Sequence, residues 1–167
     1  MAKYVALLRA VNVGGTGKLP MPELAAMSGF TKVKTYIASG NVVFESAAKP
    51  AGVKTELEAR LKAYAKKPVG VIVRTAAEME RILKANPFPK AAPNRTVAIF
   101  LDEPPPPDAL AYAVGLRGEK MQLGQCEIYV HYGDGMGTSK LRIPAAKAGT
   151  MRNMNTIAKL AEMAASL

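Results

Sequence analysis

The chain contains no tryptophan, one cysteine, one histidine and only thirteen acidic residues in 167. Each scarcity excludes something. A lone Cys126 rules out an internal disulfide, and with His131 as the single imidazole the ordinary zinc ligand sets cannot be assembled. No apolar run is long enough to span a bilayer, and Met1-Ala2-Lys3 leads straight into a strand pattern, so a cytoplasmic protein with no membrane association is expected. Nucleotide fingerprints are missing as well. Gly17-Lys18 is followed by Leu19, and in the run Gly133 to Lys140 the lysine follows the hydroxyls of Thr138 and Ser139, so neither stretch has phosphate-loop spacing. No cofactor and no metal are expected.

Acids are scarce in particular places. None precedes Glu23 and none lies between Asp134 and Glu162, where Lys140, Arg142, Lys147, Arg152 and Lys159 occur. Twenty-three basic residues leave a net charge of +10. If the chain ends meet, they form one basic surface that attracts phosphates, nucleic acid or other anions.

Apolar residues make up 49% of the composition, enough for a core in one domain or two small ones. Val5 to Leu8 has no polar interruption and reads as a strand buried on both faces. After the loop around Thr16 to Pro20, Pro22 opens a helix that Gly29 stops. Val33 to Ala38 and Asn41 to Glu45 flank the turn signal Ser39-Gly40. Val53, Leu57, Leu61 and Tyr64 recur at helical spacing, Val69 to Arg74 is a strand, and Thr75-Ala76-Ala77-Glu78 has the form of a capping box.

The prolines of Asn86 to Asn94 remove donors and impose extended backbone, so a boundary is placed there. Thr96 to Leu101, Glu119 to Leu123 and Glu127 to Tyr132 then read as strands, with a short helix over Ala109 to Val114 and a last helix starting near Asn153. Alternation puts Glu127, Tyr129 and His131 on a surface-facing side. The order predicts an α+β protein of two tandem ferredoxin-like (β-α-β-β-α-β) units, each with an added C-terminal helix. Their bounds are 1–86 and 95–167, with a Pro-rich linker at 87–94. A single α+β domain with a long mixed sheet is the alternative.

Tyr4 to Gly15, Tyr36 to Phe44, Asn86-Pro87-Phe88, Ser139-Lys140-Leu141 and Thr150 to Thr156 together resemble, in order, the motifs of the bacterial "domain of unknown function 1697" family. The resemblance implies two ferredoxin-like halves and no established activity. Ala10 stands where the family commonly has glycine and Met154 where it often has an aromatic; neither change removes a functional group.

The polar motif residues define a candidate ligand-binding set: Arg9, Asn12, Gly14, Gly15, Ser39, Asn41, Ser139, Lys140, Arg152 and Asn153. All sit at strand ends, turns or a helix start, where α/β folds place sites. Arg152-Asn153 at a helix N-terminus suits an anion, although Asn153 alone is better explained as an N-cap and Ser39-Gly40-Asn41 as a turn. Catalytic residues are not assigned: paired carboxylates are missing from the motifs, and His131 and Cys126 read as a strand surface residue and a packing residue. The function expected is binding of an anionic partner, nucleic acid or a phosphate-containing ligand, through a basic site formed by both halves. The alternative is an enzyme acting on a phosphorylated or carboxylated metabolite in a cleft between them.

Overall fold

The computed structural model describes residues 1–9, 23, 26, 28–36, 40–66, 68–133 and 138–167. They form an α+β protein with two four-stranded antiparallel sheets and, among the described residues, three α-helices. The chain divides into two compact units, one of Met1–Glu80 with Lys159–Leu167 and one of Arg81–Ala158. The division falls between Glu80 and Arg81, inside a helix, whereas the prolines suggest 87–94.

In the first unit β1 (Ala2–Leu8) is central. It pairs antiparallel with β3 (Asn41–Ser46) and β4 (Val71–Thr75), and β2 (Thr31–Thr35) completes the order β2-β3-β1-β4. Val5 to Leu8 are buried on both faces, as the uninterrupted apolar run predicts. One face, carrying Tyr4, Ala6, Leu8, Val42 and Phe44, packs against Val53, Leu57 and Leu61 of α1 (Pro50–Ala65). Phe44 stacks on Phe30 at 4.5 Å and on Tyr4 at 5.8 Å. Tyr64, read as inward from its spacing, is exposed at the helix end. The capping box forms as expected: Glu78 accepts the Thr75 amide at 2.9 Å and Thr75 Oγ1 accepts the Glu78 amide at 3.1 Å, starting α2 (Ala76–Lys84) directly after β4.

The second unit has the corresponding order β6-β7-β5-β8. Its strands are β5 (Thr96–Phe100), β6 (Lys120–Leu123), β7 (Glu127–His131) and β8 (Thr150–Asn153), the last running straight into α3 (Met154–Ala165). β8 escapes sequence reading because four residues are too short for a period. The face with Val97, Ile99, Leu101, Ile128 and Val130 is covered by irregular chain containing two 3-10 turns, Ala109–Tyr112 and Pro144–Ala146. The helix expected over Ala109 to Val114 is thus a single tight turn. It ends at Ala113, whose extended backbone (φ −65°, ψ 138°) leads into the bridge between Val114 and Arg142.

The other face of this sheet corrects a second expectation. Glu127 and Tyr129 are buried, and His131 is half-buried. The Tyr129 hydroxyl donates to the Ile82 carbonyl at 2.9 Å, which places the α2 C-terminus against this face. Alternation identifies two faces of a strand but cannot tell which is covered.

Candidate functional site

An open-sided cavity of about 580 Å³ lies in the irregular layer of the second unit. Its base is built from the buried Ile99 and Ile143 with Leu141, and Val114, Tyr132 and Met151 extend the apolar wall. The charged lining groups are Arg142 and Lys147, both exposed. Among the described residues no acidic side chain pairs with Arg142. The cavity follows from the fold. Where a sixteen-residue helix fills the layer over the first sheet, the described residues over this face of the second sheet form loops and two tight turns.

The wall is braced by backbone and by two polar residues. Val114 and Arg142 exchange two backbone hydrogen bonds, each 2.9 Å, as an isolated antiparallel bridge. Gly115 follows with φ +74°, and a Cβ there would run into the Lys140 carbonyl, so the bridge needs glycine for both dihedral and space. Ser139 Oγ donates to Glu119 Oε2 at 2.7 Å and accepts the Leu141 amide at 3.2 Å, while Glu119 Oε1 accepts the Arg117 amide at 2.6 Å. The Ser139 hydroxyl, then the Arg117 amide, hold the Glu119 carboxyl below its ordinary range against the opposing effect of burial. Tyr132 shifts the other way, raised by burial and then by the Glu119 charge, so its phenol keeps its proton.

The predicted site residues do not gather here. Ser139 and Lys140 belong to the brace and do not line the cavity. Arg152 is half-buried on β8, where its guanidinium donates to Thr150 Oγ1 at 2.7 Å and to the Met151 carbonyl at 2.9 Å; burial lowers its pKa. Asn153 Oδ1 accepts the Thr156 amide at 2.9 Å and caps α3. Arg9 and Asn41 lie in the first unit, at one end of its sheet. The Arg9 amide donates to Gly70 at 2.9 Å, and Asn41 exchanges a side-chain and a backbone contact with Tyr36, each 3.0 Å, which fits its reading as a turn residue. Asn12, Gly14, Gly15 and Ser39 fall outside the described residues. The lining cations Arg142 and Lys147 are missed by motif reading; the signal that contains them is the acid-free interval from Asp134 to Glu162.

His131 has a fixed partner. Thr96 Oγ1 lies 3.0 Å from the Ala92 carbonyl, to which its single proton goes, and 3.1 Å from His131 Nδ1. With the hydroxyl proton on the Ala92 carbonyl, the neutral form of the ring is the Nδ1–H tautomer, which donates to Thr96 and carries its lone pair on Nε2. Among the described residues no cluster of histidine, cysteine and carboxylates could hold a metal ion, and no helix is long and apolar enough to cross a membrane.

These features define the class: an α+β protein of two four-stranded antiparallel sheets, with an apolar cavity edged by cations in the second unit. The chain belongs to the DUF1697 family of proteins of unknown function, whose sequence profile matches residues 1–129. The Ser139 and Thr150 to Thr156 motifs lie beyond that match. Among solved structures it is similar to the conserved bacterial protein SP0830 from Streptococcus pneumoniae, with 26% identity and a TM-score of 0.78 over 97% of this chain and 98% of that one. No curated protein matches the chain.

Proposed function

We propose that this protein binds an anionic ligand, and that Arg142 and Lys147 beside the second-unit cavity engage it. The observation that carries this reading is the position of two exposed cations at an otherwise apolar cavity, in a stretch of chain with no acid from Gly135 to Ala161. Two cations at one cavity raise the local potential and favour anions, and among the described residues no acidic side chain pairs with Arg142. The corresponding strand orders β2-β3-β1-β4 and β6-β7-β5-β8, each followed by a helix, support reading the halves as two ferredoxin-like units.

The enzyme reading has weaker support. Ser139 Oγ donates to the Glu119 carboxylate, but that carboxyl's pKa is lowered, which makes it a weak base, and neither residue lines the cavity.

The test is titration of the wild-type chain and an Arg142→Gln/Lys147→Gln variant with inorganic phosphate, acetate and labelled single-stranded RNA, from low to physiological salt. Binding of any of these to the wild type, reduced at least tenfold in the variant, supports the reading. Equal binding by both proteins, or none by either, overturns it. A polyanion contact is recognised by its steep loss with salt.

A further inference from the structure

Resting on that reading, we infer that the cavity takes a free monocarboxylate with an apolar body, its carboxylate at Arg142 and Lys147 and its chain or ring over Ile99 and Ile143. At about 580 Å³ the space is of the size that small-molecule sites have, roughly 300–1,000 Å³. Its chemistry is divided. Among the described residues the lining is mostly hydrocarbon, Ile99, Ile143, Leu141, Val114 and Met151, with Tyr132 as its uncharged polar side chain and the two cations at exposed positions. Val114 is 59% exposed and Met151 43%, so apolar wall is wetted in the empty cavity and is shielded when an apolar body enters.

Tyr132 supplies a third contact. Its hydroxyl points at Met151 Sδ, 3.8 Å away, a weak acceptor that a carboxylate oxygen can replace. Burial and the Glu119 charge keep the phenol protonated and able to donate. A guanidinium, an ammonium and a phenol match one planar carboxylate, which Arg142 can hold bidentately. A polyanion would instead use cations spread along a surface and would leave the hydrocarbon depth unfilled.

The experiment is calorimetric titration of the whole chain with decanoate and with 2-naphthoate, followed by amide chemical-shift mapping. Decyltrimethylammonium, acetate and inorganic phosphate are the comparison ligands. Decanoate or 2-naphthoate should bind at one site and shift the amides of Val114, Arg142 and Gly149, and should bind at least tenfold tighter than acetate. Which of the two binds tighter distinguishes a chain from a ring as the apolar body. Arg142→Gln/Lys147→Gln should weaken either ligand at least tenfold; both positions are exposed, so the fold is kept, as an unchanged amide spectrum elsewhere verifies. Val114→Glu, also exposed, should weaken them by a similar factor by placing a like charge at the wall.

Equal affinity for decyltrimethylammonium overturns the inference, since the cavity would then read apolar surface alone. Phosphate or RNA binding lost in the double variant, with no decanoate or naphthoate binding, overturns it while leaving anion binding intact. Failure of every anion overturns both.

Discussion

Ser139 Oγ donates to Glu119 Oε2 at 2.7 Å, joining two segments that are twenty residues apart in sequence and that together hold one wall of the cavity. A hydroxyl donating to an ionised carboxylate is stronger than a bond between neutral groups, and here it depresses the carboxyl's pKa.

The sign of the pH effect follows. A depressed folded pKa means that stabilisation is present above the unfolded carboxylate value and is lost as pH falls through the folded one. Glu119→Gln should therefore flatten the acid limb of the stability curve below the ordinary carboxylate range. Thermal melts of both proteins from pH 6 downward check this; parallel acid limbs would show that the pair does not contribute.

Tyr129 gives the opposite limb. Burial, and next the Glu127 charge, push its phenol from 10.0 up to about 12, with Arg81 opposing. A raised folded pKa gives stability that is complete below the unfolded value and lost as pH rises from about 10 to about 12. Tyr129→Phe should cost about 1 kcal/mol at neutral pH, the typical worth of its bond to Ile82. It should also remove much of the alkaline loss, as denaturant melts at pH 7, 10 and 11 would show.

Asn153 tests the cap. Asn153→Ala removes the acceptor of the Thr156 amide and should lower stability by about 1 kcal/mol, whereas Asn153→Asp or Asn153→Ser should retain most of it. If alanine melts with the wild type, the residue's role lies elsewhere.

Gly149 lines the cavity just before β8. A Cβ there would stand 2.7 Å from the Phe100 carbonyl and 2.8 Å from both Ile99 Cγ2 and Leu101 Cδ2. Its φ is not in the left-handed region, so the need for glycine is one of close approach. Gly149→Ala should cost about 1–3 kcal/mol, as overpacking does, and should shift the Met151 amide. An unchanged midpoint in urea would show that β8 gives way freely.

The His131 tautomer is directly observable. Nitrogen-15 spectra of the neutral ring should show protonated Nδ1 and unprotonated Nε2, and Thr96→Val should move the tautomer population toward the Nε2–H form common in free histidine. Equal mixtures in the wild type would contradict the bond to Thr96.

Local rules were legible in the chain itself. The capping box at Thr75 and Glu78, the Asn153 cap, the buried run Val5 to Leu8 and the Val53, Leu57, Leu61 stripe each depend on residues within a turn or two of one another. The family was legible too, because its motifs are contiguous. Tertiary structure alone decided which side of β7 is covered, that the chain over the second sheet is irregular enough to leave a cavity, and that Ser139 meets Glu119. Arg142 and Lys147 became neighbours of one space through the bridge from Val114 to Arg142 and the turn at Pro144 to Ala146. Periodicity and caps arise from bonds a few residues long, whereas a cavity is set by what distant segments fail to fill.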